Sequence, residues 1–313
     1  RAPAHALLGA CALAGAALGC TEDFDVANHQ LRPQVGVAAV DTRSAPCDAR
    51  DPLRRAFFGD LHVHTAFSSD ARQYDLRVEP DGAYRYAFGE PIGLPPIDAD
   101  GNPTRKVRID RPLDFAAVTD HAEFLGETRL CADPASEVYE SESCRSIRAA
   151  TTPVDSPLAM FIMLPFPWRH DDVCGADNAR CLAATARVWR ATIDAAEAWN
   201  DTTSRCARTT FVGYEYSSHR LGSNLHRNVI FRNAIVPARP ISYLEVQREW
   251  ELWELLQRTC DATGTGCDSL AIPHNSNISN GRMFAVDTPG AWDDSAQAER
   301  ARLDGLREAV VGG

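Results

Sequence analysis

The stretch FFGDLHVHTAFSSD (57–70) holds two histidines one residue apart, His62 and His64, with Asp70 close behind. In an extended strand residues i and i+2 face the same way, so both imidazoles project together. Two neutral imidazoles on one face make half a metal site, although two satisfied histidines on a surface strand would read the same. Four further segments each offer a ligand beside an apolar run, which favours metal chemistry. LDFAAVTDHAE (113–123) ends in Asp120 and His121, and TFVGYEYS (210–217) carries Glu215 at its far end. LHRNVIFR (225–232) opens with His226, and LAIPHN (270–275) places His274 just after a short apolar strand.

The elements that must hold these side chains follow from the pattern around them. Phe57 and Phe58 give the first run the apolar character of a buried strand. Strand-like runs separated by helical stretches indicate βα units and a mostly parallel sheet or barrel. In such folds the carboxyl ends of strands collect the functional residues, and most of these polar groups fall there. Between the motifs, 79–89 predicts a short helix with Pro80 near its start, and 91–111, rich in Pro, Gly and Asp, predicts a solvated loop. Helical spacing of apolar residues predicts amphipathic helices over 178–200, with Trp189 and Trp199 in the core, and over 242–259, with Trp250 and Trp253 on its buried stripe.

In order and content, FFGDLHVHT, AVTDHAEFLG, NLHRNVIFRN and PHNSN resemble the signatures of the PHP (polymerase and histidinol phosphatase) superfamily, over roughly residues 54–302. The likeness is to its secreted branch, catalogued as a domain of unknown function. The resemblance implies an α/β fold of the distorted (β/α)7 barrel type with two or three divalent ions, Mn, Zn or Fe, at its mouth. It gives His62 and His64 to a first metal, Glu215 to a bridge between first and second, His226 and His274 to the second, and Asp70 with His121 to a third. Glu215 and His274 are its candidate catalytic residues. Family members often have His at the Asp70 position; a carboxylate there makes the site harder and shifts it toward manganese or iron. Asp60 and Asp120 are expected to support the ligands from behind. Arg227, Asn228 and Asn275, beside the ligands, are candidates to anchor an anionic substrate, a guanidinium matching phosphate oxygens in two-pronged fashion. His170 and His219 lie in loops as weaker candidates.

PHP proteins close their ligand set with S-D-x-H on a late strand, and no such motif follows His274. The expectation is a chain incomplete at both ends, lacking the last barrel strands, with 52–313 as the N-terminal and central part of the hydrolase domain. Residues 1–20 are expected to be an export leader: HALLGACALAGAALG is apolar, small-residue-rich and too short to span a membrane. Its close on Gly19-Cys20 resembles a bacterial lipoprotein leader, with Cys20 lipidated and the protein held in the periplasm or cell envelope. An ordinary secretory signal is the alternative, and 21–51 would be a flexible linker.

Removing Cys11 and Cys20 leaves an even set of cysteines, which in an exported chain suggests disulfides. Proximity alone pairs Cys131 with Cys144, Cys174 with Cys181 and Cys260 with Cys267, leaving Cys47 with Cys206; the count by itself leaves many pairings open. A net charge of −11 argues against stable nucleic-acid binding. The expected function is an exported metal-dependent hydrolase, foremost a phosphoesterase, acting on a small phosphorylated or other anionic substrate. An amidohydrolase-like C–N or C–O hydrolase remains an alternative, as does a metal-binding envelope protein without catalysis. The former would call for a carbamylated lysine, and the single lysine, Lys106, lies away from every motif.

Overall fold

A computed structural model describes residues 47–48, 56–153, 155–158, 167–219 and 222–284. The expected leader, the lipidation site Cys20, nearly all of the linker and the segment after 284 lie outside the described residues.

In chain order the elements are β1 (Gly59–Val63), α1 (Ser69–Gln73), α2 (Pro80–Ala87), β2 (Ile92–Ile97), β3 (Pro103–Val107) and β4 (Phe115–Val118). There follow α3 (Leu125–Ala132), α4 (Glu142–Ala149), α5 (Asp171–Cys174), α6 (Ala179–Trp199), β5 (Thr209–Ser218), β6 (Leu225–Phe231), α7 (Glu249–Leu256) and β7 (Ser269–Pro273). Five strands form one sheet in the order β1-β4-β5-β6-β7, and β2 pairs with β3 alone.

The sheet is mixed, which corrects the expected mostly parallel arrangement, and among the described residues it is open, with no closed barrel. Helical crossovers lead from β1 to β4 and from β4 to β5, and those pairs are parallel as βα units require. The short connection after β5 cannot cross over, so β6 returns antiparallel to β5, and β7 lies antiparallel to β6. All four strands expected around the later ligands are present.

Three local expectations are corrected. Phe57 and Phe58 are 58% and 52% exposed rather than buried, and Arg111 lays its guanidinium over the Phe58 ring, 4.5 Å from its centroid. Residues 91–111 form the β2–β3 hairpin instead of a loop. Asp98 makes that turn, its Oδ1 accepting from the N–H groups of Asp100 and Asn102 at 3.0 and 2.7 Å, with Gly101 at φ +84°. The expected 242–259 helix begins only at Glu249, where Glu251 accepts from the Arg248 N–H at 3.1 Å and caps it. The helices over 80–87 and 179–199 lie within the expected 79–89 and 178–200.

Packing fixes the sheet against α6. Trp189 is buried against Tyr214 and Phe231, ring centroids 5.8 and 6.2 Å apart, with its Nε1 donating to the Pro237 carbonyl at 2.8 Å. Trp253 is buried, while Trp199 and Trp250 pack at the margin of the core. Gly126 lets α3 close on α6: a Cβ there would stand 2.3 Å from the Cys181 carbonyl oxygen. The glycine of FFGD has the same role, since a Cβ on Gly59 would meet the Phe115 carbonyl oxygen at 2.3 Å. Among the described residues four disulfides form, those that proximity selected: Cys47–Cys206, Cys131–Cys144, Cys174–Cys181 and Cys260–Cys267. They point to an oxidising, extracytoplasmic compartment. No described helix is long and apolar enough to cross a membrane.

Candidate metal centre

The seven expected ligands converge at one end of the sheet. Strand geometry turns His62 and His64 to the same side, ring centroids 5.0 Å apart. The TDH segment runs past the end of β4 alongside β5: the Glu215 N–H donates to the Asp120 carbonyl at 3.0 Å and the Ala122 N–H to the Glu215 carbonyl at 2.8 Å. His226 faces Ser217 across the β5–β6 ladder, and the His274 N–H reaches the His226 carbonyl at 3.3 Å.

Glu215 is the hub, with 0% exposure. Its Oε2 lies 2.9 Å from His64 Nε2, 2.9 Å from His121 Nδ1 and 3.6 Å from His62 Nε2. Its Oε1 lies 2.9 Å from His226 Nδ1 and 3.2 Å from His274 Nε2. Asp70 approaches from α1, its Oδ2 3.0 Å from His64 Nδ1 and 3.6 Å from His121 Nε2. Three overlapping groups can each hold a cation, their ligand atoms all within 4.8 Å of one another: His62–His64–Glu215, His64–Asp70–His121 and His121–Glu215–His226. The first contains the expected first-metal pair with Glu215, and the second holds the expected Asp70–His121 pair. His64 and His121 each join two groups, a sharing the residue pattern did not reveal. Glu127, Cys174 and Cys181 also cluster, but those cysteines are joined as a disulfide and offer no thiolate.

The donor set fits a metal on its own geometry. His64 Nε2 and Glu215 Oε2 are buried 2.9 Å apart, two lone pairs facing each other unless a proton or a cation stands between them. A cation between such lone pairs would satisfy both. Without one, protons take that place. Burial would lower the His64 imidazole, and repulsion from His121 adds to this, but hydrogen bonds to Asp70 and Glu215 overcome both and push it up to about 9. Burial would raise the Glu215 carboxyl, but His121, His226 and His274 hold it well below the usual range. His226 is lowered to about 4, chiefly by burial.

A proton linkage follows. Ligating imidazoles must give up their protons, and His64 keeps its proton below about pH 9 in the metal-free protein. Loading manganese at pH 7 is therefore expected to release protons, with release declining and apparent affinity rising as pH climbs through about 9. Calorimetric titration in buffers of different ionisation enthalpy reads this directly; heats independent of the buffer at pH 7 would refute it.

The remaining expected residues divide. Asp120 is buried, accepts from both the N–H and the hydroxyl of Thr65, and is pushed up to about 6 by burial; it clamps the chain just after His64. Asp60 accepts from the His62 N–H at 2.9 Å. Asn228 stands opposite Glu215 on the ladder, buried, with Oδ1 lacking a hydrogen-bond partner. Asn275 is exposed beside His274, its carbonyl oxygen 2.8 Å from His274 Nδ1. Arg227 is a correction: alternation along β6 turns it to the other face, where it donates to the carbonyls of Leu225 (2.7 Å) and Met283 (3.2 Å) and lies 3.8 Å from Glu249. Buried there, it is no anion anchor at the metals. His170 is engaged elsewhere, with Ser143 Oγ at 3.0 Å from its Nδ1.

The weaker candidate His219 does reach the site, and two further neighbours, Ser217 and Glu123, went unassigned in the sequence. His219 brings its Nε2 to 3.3 Å from His226 Nε2, and Ser217 Oγ touches His121 Nδ1. Glu123 is buried, its Oε1 accepting from the N–H groups of Ser217 at 3.2 Å and Tyr243 at 2.6 Å. Its place in TDHAE was the available signal.

A family model described as "Protein of unknown function (DUF3604)" matches residues 51–311. No curated protein and no solved structure matches the chain.

Proposed function

The chain belongs to the DUF3604 family of unknown function, which supplies no activity, so the site must supply one, and we propose that this protein is an exported metal-dependent hydrolase, foremost a phosphoesterase. The observation that carries the proposal is the buried Glu215 carboxylate with five imidazoles around it and Asp70 one residue beyond. The likeness to the PHP superfamily supports the same reading, with two or three Mn, Zn or Fe ions in the three overlapping groups.

Bound divalent cations would supply Lewis acidity, making water nucleophilic near neutral pH and offsetting charge on a phosphoryl group. Glu215 offers one carboxylate oxygen to each side of the site, as bridging two cations requires. Asp120 and Asp60 hold the backbone of the H-x-H segment from two directions. Ser217 orients His121, and His219 orients His226. No serine or cysteine nucleophile is needed in such a site. The substrate would be a small phosphorylated or other anionic molecule, and Cys20 would tether the protein to the envelope.

An amidohydrolase-type alternative is disfavoured by Lys106, which is exposed on the β2–β3 hairpin. The deciding experiment is hydrolysis of a chromogenic phosphomonoester by the full-length mature protein with manganese, beside a His62→Ala/Glu215→Ala double variant. Metal-dependent turnover lost in the variant is expected. Wild-type protein that binds manganese yet shows no turnover above background would sink the phosphomonoesterase and favour a binding role.

A further inference from the structure

Beside the metal centre lies a small pocket of about 90 Å3, lined in part by Asp70, His121 and His219. A second cavity of about 760 Å3 shares Ser69, Gln73 and Leu158 with it as common wall. That volume falls within the range of small-molecule sites. Its charged lining is Arg72, Arg77 and Arg148 against the single carboxylate of Asp75, in a chain whose net charge is −11. Positive lining in an acidic protein is local and needs a local cause.

The three arginines are not equally committed. Arg148 donates to the carbonyls of Cys131 and Tyr139 and stacks on the Tyr139 ring. Arg77 pairs with Asp75. Arg72 sits on α1, two residues after Asp70, and is half-buried. Its guanidinium makes no hydrogen bond or salt bridge among the described residues. Its electrostatic neighbours are Arg77, Arg129, Asp75 and Glu79. A partly desolvated guanidinium without a partner on the wall of a cavity is a donor in want of an acceptor.

We propose that this arginine-lined cavity is a subsite for a second anionic group of the substrate, phosphate-like and carried on the same molecule as the group that reacts at the metals. The proposal rests on the hydrolase reading for the first group only. α1 supplies both ends: Asp70 faces the metal centre and Arg72 the cavity, so one short helix sets the spacing between reacting and anchoring groups. Such a subsite selects doubly anionic substrates over simple monoesters, because the guanidinium fork matches a second phosphate.

The test titrates the full metal-loaded protein with α,ω-alkanediol bisphosphates of graded length and with the matching alkyl monophosphates, binding being read by calorimetry. One bisphosphate length is expected to bind roughly 10-fold or more tighter than its monophosphate, the gain of one charge-assisted contact. Arg72→Gln is expected to erase that preference and leave monophosphate binding unchanged, while Arg72→Lys retains part of it. Equal binding of both series at every length overturns the subsite. So does a preference that survives both Arg72→Gln and Arg77→Gln in folded protein. Repeating the titrations on metal-stripped protein, beside turnover assays, separates the two readings. Bisphosphate binding that depends on Arg72, without hydrolysis by the loaded protein, would sink the hydrolase and leave the subsite standing; hydrolysis with no bisphosphate preference would do the reverse.

Discussion

Glu215→Gln is expected to lose tightly bound metal and to reduce metal-dependent hydrolysis by on the order of 10³-fold, the rate equivalent of several kcal/mol of charge stabilisation. The substitution conserves shape and removes charge, so it tests the carboxylate and not the packing. Among the described residues, Glu215 alone lies within reach of His62, His64, His121, His226 and His274 together. An amide has a single acceptor oxygen and cannot serve cations on both sides. Loss of one peripheral imidazole, as in His62→Ala, is expected to cost less, because His62 stands 3.6 Å from Glu215 and is the most exposed of the five. Metal content by atomic spectroscopy and turnover at fixed manganese would measure both. Retention of full metal content in Glu215→Gln would show that the imidazoles and Asp70 make the site without the Glu215 charge.

Apart from Asp70, which sits on α1, the candidate ligands were legible in the sequence because each sits at or beside a strand end in a recognisable local pattern. Period-two alternation placed His62 beside His64, and an apolar run announced each of β4, β5, β6 and β7. The sharing of His64 and His121 between groups was not legible, since it depends on ring positions set by the register of Ala122 and Asp120 on Glu215. Arg227 was misread for a related reason. Adjacency to His226 in sequence means opposite faces in a strand, and the same alternation that unites His62 and His64 separates this pair. The parallel arrangement was over-read from βα spacing: the short β5–β6 connection already excludes a crossover, and the sheet becomes mixed there. The hairpin over 91–111 was hidden by proline and glycine, which mark loops but also serve short exposed strands whose turn is closed by Asp98.

Behind the site a buried ion pair decides whether these elements stay together, and it carries the largest expected effect on stability. Arg169 donates to both oxygens of Glu127 at 2.9 and 2.8 Å and reaches Glu245 at 3.3 Å. Burial would lower the Arg169 guanidinium, but the two carboxylates outweigh it and hold it above its ordinary value. Arg169→Met would leave Glu127, which has 0% exposure, as an unpaired charge inside α3. Breaking a buried pair in this way costs about 3–5 kcal/mol, to be read as a shift of the urea midpoint at constant slope. Because desolvation of two charges offsets much of their attraction, the double variant Arg169→Met/Glu127→Leu is expected to recover part of that loss. A double variant no more stable than Arg169→Met would show that packing, not the stranded carboxylate, sets the cost. The effect should also reach the metals. Glu245 accepts from the Ser242 N–H at 2.9 Å, and the next residue, Tyr243, donates its N–H to Glu123, whose same oxygen accepts from Ser217 beside His121. Weaker manganese binding by folded Arg169→Met at low urea would place this ion pair in the support of the site; unchanged binding would confine its role to stability.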